Sequence, residues 1–126
     1  MEYLYTGQKL GEDRRVTVKT LPSVPSGQDG TVIGDNFFRF DADGSCSVYH
    51  LPDCAFIGSF TLDKSDILKM HCNAVDFGKK YREEDEFPLI YTNIYNNYAK
   101  SEDSLPGVCG VYRIARENET FTSTLV

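Results

Sequence analysis

Tryptophan is absent from this chain, and histidine and methionine occur only twice each. The four cysteines, Cys46, Cys54, Cys72 and Cys109, form no Cys-x-x-Cys pair. Zinc-ribbon and thioredoxin chemistry therefore lack their ligand spacing. Each cysteine sits beside apolar or β-forming residues and reads as a buried, reduced thiol. No stretch approaches the roughly 20 apolar residues that span a bilayer, so no membrane partner is expected. Met1-Glu2-Tyr3-Leu4-Tyr5 has neither the basic region nor the apolar run of a signal peptide. The expectation is a cytoplasmic protein if residue 1 is the natural start. The sequon Asn118-Glu119-Thr120 gains meaning only on export. Basic residues are outnumbered 13 to 19, for a net charge of -6, which argues against nucleic acid, whose binders carry a basic stripe. There is no Gly-x-x-x-x-Gly-Lys phosphate loop and no Gly-x-Ser-x-Gly elbow. No cofactor is expected.

What is present is a strand-former's composition. The 126 residues fit one domain, and 40% are hydrophobic against 25% charged, enough for a modest core. Eight Tyr and eight Phe suit half-buried pleated surfaces. Residues 31–40 read as two strands around Gly34-Asp35-Asn36, followed by a turn at Asp41-Ala42-Asp43-Gly44. Ser45–Leu51 is a third strand. Pro52-Asp53 turns the chain into Ala55–Leu62, whose alternation predicts Phe56, Gly58, Phe60 and Leu62 on one face. In the second half, Asn73–Phe77, Pro88–Ile94, Val108–Ile114 and Thr120–Val126 read as four more strands. The acidic cluster Glu83-Glu84-Asp85-Glu86, flanked by Lys79, Lys80 and Arg82, reads as a solvated loop rather than a cation site.

The two halves match. Ser45-Cys46-Ser47-Val48-Tyr49-His50-Leu51 aligns with Val108-Cys109-Gly110-Val111-Tyr112-Arg113-Ile114. Both are followed by a short turn and a strand with an aromatic-Ser/Thr-Leu ending. Tyr3–Leu10 and Val16–Leu21 resemble the last two strands of a third, partial unit. Four-stranded units recurring at roughly 40–50 residues are the signature of β-propeller blades; the competing interpretation is an ordinary antiparallel sandwich. The predicted fold is all-β, propeller-like, with about two to two and a half blades: a lead-in at 1–26, a first unit at 27–70 and a second at 71–126. A propeller needs roughly 4–8 blades. So the chain is expected to be part of a longer one, to join copies into a ring, or to cover its edges in an open stack. Raw edges invite pairing, and self-association is expected in each case.

A resemblance follows from Gly34-Asp35-Asn36-Phe37-Phe38-Arg39-Phe40, Asp43-Gly44, Cys46-x-Val48-Tyr49-x-Leu51, His71-Cys72-Asn73-Ala74 and Phe87-Pro88-Leu89-Ile90-Tyr91. Together these resemble a family of bacterial, gut-associated, propeller-like proteins of no assigned activity. The resemblance covers roughly residues 27–126 and implies a β-propeller-like fold. It implies no chemistry. The chain is shorter than a complete ring of that family.

Candidate site residues are few. His71-Cys72-Asn73 holds the residue types of a Cys-His-Asn hydrolase, but strand neighbours point to opposite faces and such groups converge from distant segments. Alternation instead puts His71 and Asn73 on one face and Cys72 in the packing. The pair either binds a ligand or metal in a central channel, or ties down the connection from Asp63 to Met70 through backbone groups. Asp41-x-Asp43-Gly44 lacks the rest of a calcium loop, with Pro52 at the twelfth position, and reads as a hairpin turn. Asp29, Asp35 and Asp76 lie beside inner strands, where paired carboxylates would serve glycoside hydrolysis. Tyr91, Asn93 and Tyr95, within the Tyr91–Tyr98 stretch, could stack on and hydrogen-bond a sugar or peptide. The expected function is a non-catalytic ligand-binding or protein-interaction scaffold for glycan or protein; the alternative is a glycan-processing enzyme or a fragment of one.

Overall fold

The computed structural model describes residues 24–82, 84–95 and 104–126, together with the backbone of two short N-terminal strands. Those strands, β1 (Glu2–Leu4) and β2 (Arg15–Thr17), pair antiparallel with Tyr3 opposite Val16. The rest of the predicted N-terminal unit lies outside the described residues.

Two antiparallel four-stranded sheets make up the remainder. Sheet I is a meander of β3 (Asp29–Ile33), β4 (Asn36–Phe40), β5 (Ser45–His50) and β6 (Ala55–Thr61). Sheet II repeats that order with β7 (Val75–Phe77), β8 (Ile90–Asn93), β9 (Cys109–Glu117) and β10 (Thr120–Leu125). One short helix, α1 (Ser65–Leu68), lies in the connection between the sheets. Aromatic and β-branched runs bounded by Asp and Gly make these strands, as the sequence predicts. At the β4–β5 turn, Gly44 has φ +84 and donates its N–H to the Asp41 carbonyl at 3.0 Å. The Asp43 carboxylate accepts from the Ser45 N–H (2.9 Å) and hydroxyl (2.6 Å), holding its pKa below the ordinary value. This is a hairpin turn stabilised by its own side chain.

The sheets stack face to face, β3 beside β7 and β6 beside β10. Phe38 of β4 is the hub of the core. It is fully buried, with its ring edge-on to Phe77 (5.0 Å), Phe87 (5.3 Å), Phe121 (6.1 Å) and Phe60 (6.3 Å). Edge-to-face contact suits the ring quadrupoles. Gly58 is required where Phe121 approaches the backbone: a Cβ there would stand 2.6 Å from the ring. Burial pushes the thiol pKa of Cys46 up, and that of Cys72 up to about 11.

Several expectations are corrected. Phe56 does not share a face with Gly58 and Phe60. A bulge between Val48 and Tyr49 leaves Tyr49 opposite Phe56 and Val48 opposite Gly58, so Phe56 turns outward, 60% exposed. Residues 71–74 precede β7 rather than joining it. Cys72 is buried as expected, its N–H bonded to the Ala42 carbonyl at 2.7 Å. All four thiols are free, but Cys109 is exposed and Cys54 only half-buried. The acidic loop is not simply solvated. The Asp85 carboxylate accepts from Arg113, sharing the Nε–H between its two oxygens at 2.8 and 2.9 Å and taking a second bond from Nη2, and Glu86 pairs with Arg116. The Arg116 guanidinium in turn lies over the Phe87 and Phe121 rings at 5.7 and 5.6 Å.

Candidate functional site

Four of the carboxylate and aromatic candidates converge. Asp29, Asp76, Tyr91 and Asn93 line one open groove with Cys109, at the inner edge where β3 meets β7. Their strands place them: Asp76 stands opposite Tyr91, and Asn93 opposite Cys109, on the face of sheet II turned away from sheet I. Asp29 opens β3 across the seam.

The polar atoms of this groove are engaged. Asp29 Oδ2 accepts the Val75 N–H at 2.6 Å, which satisfies a donor on the free edge of β7. Asp76 Oδ1 accepts from the Thr31 hydroxyl (2.7 Å) and from the Phe77 N–H (2.9 Å). The two acids thus stitch the inner strands together. Asn93 Oδ1 accepts from the N–H groups of Asn73 (3.1 Å) and Ala74 (2.9 Å), and its amide donates to the Asn73 side chain. Asn93 therefore holds the chain leading into β7, and the Asn73 side chain bonds Asn93 rather than backbone of the connection from Asp63 to Met70. Behind the groove the Cys72 thiol and the Thr92 hydroxyl share a buried contact of 3.0 Å.

The remaining candidates lie elsewhere. His71 meets the edge of the Tyr95 ring at 6.4 Å rather than sharing a strand face with Asn73. Residues 96–98 of the tyrosine-rich stretch lie outside the described residues. Asp35 sits in the β3–β4 turn, at the opposite end of β3 from Asp29, and lines a second groove with His50, Asp53 and Arg116. There His50 Nδ1 and Asp53 Oδ1 are 2.7 Å apart, and Asp53 also accepts the Ala55 N–H at 3.1 Å. The His50 contact first, then the Ala55 bond, holds the Asp53 pKa low. Among the described residues no group of three or more His, Cys, Asp or Glu side chains could hold a metal ion. No helix among them is long and apolar enough to cross a membrane.

Sequence reasoning missed the outer face of sheet I. Val32, Phe37, Tyr49 and Phe56 stand opposite one another in successive strands, a single apolar row crossing all four. The Tyr49 ring lies 6.5 Å from Phe37 and 5.8 Å from Phe56. Both ends of the row are open to solvent, Val32 at 50% and Phe56 at 60%, while Tyr49 between them is buried, 7% exposed. Sheet II has an outer row as well: Tyr91 faces Val111, and the Val126 N–H bonds the Val111 carbonyl at 2.9 Å. The signal for the first row was the alternation in Val32, Phe37 and Tyr49; the bulge hid the fourth member.

No protein-family model matches this chain, no curated protein matches it, and no solved structure matches it.

Proposed function

We propose that this chain is a propeller-like β-repeat scaffold, a non-catalytic module that engages protein through the outer faces of its sheets. One observation carries this reading, a correspondence of strand register. Aligning Cys46 with Cys109 brings Val48 onto Val111 and Tyr49 onto Tyr112. The pairings then carry the correspondence outward across all four strands. The row Val32, Phe37, Tyr49, Phe56 of sheet I corresponds to Phe77, Ile90, Tyr112, Leu125 of sheet II. In sheet II that row is packed against sheet I, with Ile90 and Tyr112 fully buried. In sheet I it lies on the side away from sheet II, where Tyr49 is itself buried and only Val32 and Phe56 are well exposed. Conversely Val48 is buried between the sheets and Val111 is on the outside. Each outer face therefore carries the register of a face that is buried elsewhere in the same molecule. Exposed apolar side chains at the ends of such rows, Val32 and Phe56 in sheet I, Tyr91 and Val126 in sheet II, are the contacts a partner would cover. This stacking of like units, rather than the mirror pairing of a sandwich, supports the reading of the two sheets as blades. Four free thiols fit the reducing cytoplasm expected from the sequence.

The second reading is a glycan-handling site, favoured by the meeting of Asp29, Asp76, Tyr91 and Asn93 in one groove. Against it, a carboxylate oxygen on each acid is already committed to holding β7, whereas a glycosidase acid must exchange its proton with the leaving group. A photo-crosslinking phenylalanine analogue in place of Phe56 or of Val111 tests the choice. Adducts of protein mass from both positions, formed in the cells that make the protein, are the expected result. Adducts from neither, with Tyr91 and Asn93 resonances shifting on addition of oligosaccharides, would overturn the scaffold in favour of the glycan site.

A further inference from the structure

We infer that the partner is a second copy of this chain, docked head to tail: the outer face of sheet II of one copy seats on the outer face of sheet I of the next. The inference rests on the scaffold reading and narrows it to one occupant.

The internal interface is the template. It joins two unlike faces, the Val48 face of sheet I and the Tyr112 face of sheet II. The faces turned away from this interface are one of each kind, and since Tyr49 is itself buried a partner would meet Val32, Phe37 and Phe56 around it. Val111 holds the register of Val48, and Tyr49 holds the register of Tyr112. A copy of the chain thus presents the complement of what its neighbour exposes, in the strand-over-strand alignment that places β3 beside β7 and β6 beside β10. Docking like on like would instead oppose two rows of the Tyr49 kind, a contact for which the fold offers no precedent. The inner-edge groove falls inside the proposed contact: Tyr91 holds the register of Phe38, the hub of the internal core, and Asp76 that of Thr31.

The size of the contact sets its strength. Four strands about 4.8 Å apart and averaging about six residues, at about 3.3 Å per residue, present a face of roughly 19 by 20 Å. Two such faces remove roughly 800 Å² in projection, below the roughly 1,200–2,000 Å² of standard stable interfaces. Assembly is therefore expected to depend on concentration. An interface between unlike faces continues until it closes as a ring, and otherwise makes a filament.

Light scattering on a sizing column over a range of concentrations tests this with the full chain and two variants. Phe56→Asp spoils the sheet I face and Val111→Arg the sheet II face. Val126→Asp, at a well-exposed position, replaces Val111→Arg if circular dichroism shows that variant unfolded. The expected results are an assembled wild type and monomers for each variant alone. An equimolar mixture of the two variants is expected to form a 1:1 dimer and stop there, since each retains one sound face. A wild type that is monomeric at every concentration overturns the inference, including the case in which the chain's own N-terminal residues cover the Tyr49 face. So does a sheet II variant that still assembles, or a mixture that stays monomeric. The scaffold reading fails separately: a monomer that still gives protein adducts from positions 56 and 111 has a different protein partner, while one that gives none has lost both.

Discussion

Replacing Phe38 by alanine is the perturbation that tests most directly whether the two sheets are held by one aromatic cluster. The side chain is fully buried and touches four rings, three of them on the other side of the interface: Phe77, Phe87 and Phe121. Truncating a core phenylalanine costs about 3–5 kcal/mol from lost transfer energy and the cavity left behind. Aromatic pairs add about 0.5–1.5 kcal/mol each beyond area, which puts this site at the upper end, about 4–5 kcal/mol. A domain of this size has roughly 5–15 kcal/mol in all, so the variant should stand near the edge of folding. Phe56→Ala is the control, because the same chemical change at a 60% exposed ring is expected to cost less than about 1 kcal/mol in the monomer. Urea unfolding at low protein concentration, followed by far-ultraviolet circular dichroism and tyrosine fluorescence, measures both. If Phe38→Ala does not fold, Phe38→Leu keeps most of the volume and loses the ring edges, at roughly 1–2 kcal/mol. A Phe38→Ala cost under about 1.5 kcal/mol, or no larger than that of Phe56→Ala, would refute the idea that this cluster joins the sheets.

Two further outcomes are expected. Arg113 holds the Asp85 carboxyl below its ordinary pKa, chiefly by hydrogen bonding and then by charge. A depressed folded-state pKa contributes stability above the unfolded value, about pH 4, that is lost as pH falls through the folded value. Acid titration of stability should therefore show a descending step below about pH 4 that flattens in Asp85→Asn; an unchanged step would remove Asp85 from the account. Among the thiols, exposed Cys109 should react first with an aromatic disulfide reagent at pH 8, and half-buried Cys54 more slowly. Buried Cys46 and Cys72 should react only on unfolding, because burial raises both pKa values and leaves little thiolate. Four equal rates would contradict the burial pattern.

The strands were legible because their signals are local. Thr31–Phe40, Ser45–Leu51 and Val108–Ile114 are runs of aromatic and β-branched residues punctuated by Asp and Gly, and the sheets follow them. What the sequence hid is what depends on distant partners or on one extra residue. Phe56 was placed on the wrong face because period-two counting has no means of seeing the bulge opposite Val48 and Tyr49. Helix α1 begins after Lys64 and ends before Lys69, both with positive φ, and Lys64 makes no side-chain cap, so no capping signal announces it. Asp85 and Glu86 looked like solvated acids because their arginines come 28 and 30 residues later. Within the site, Asp76, Tyr91 and Asn93 were legible because each sits on a readable strand. Asp35 lies apart from them in the β3–β4 turn, since adjacency to an inner strand does not say which end of it the residue occupies. The Phe60-Thr61-Leu62 echo of Phe121–Leu125 does not follow the strand pairing: Phe60 pairs with Cys46, while Phe121 pairs with Arg116.

The internal interface also shows why a contact between copies should be the weaker of the two. Sheets I and II are tied at both edges as well as through the core. At the inner edge Asp29 accepts the Val75 N–H and Thr31 bonds Asp76. At the outer edge the Ser123 hydroxyl donates to the Thr61 carbonyl (3.0 Å) and accepts the Asp63 N–H (2.7 Å), while Asp63 Oδ2 accepts the Leu125 N–H at 3.1 Å. These bonds fix one register for the aromatic rows between them. On the outer face of sheet II the position corresponding to Asp29 is Ala74, which has no carboxylate to receive the edge of a following sheet. The row there runs Asp76, Tyr91, Val111, apolar only beyond its first member, and Asp76 Oδ1 already accepts from Thr31 and from the Phe77 N–H. Apolar burial without directional ties supplies affinity with little to hold the register. The two-sheet unit should therefore persist on dilution, and larger assemblies should come apart at the contacts between copies first.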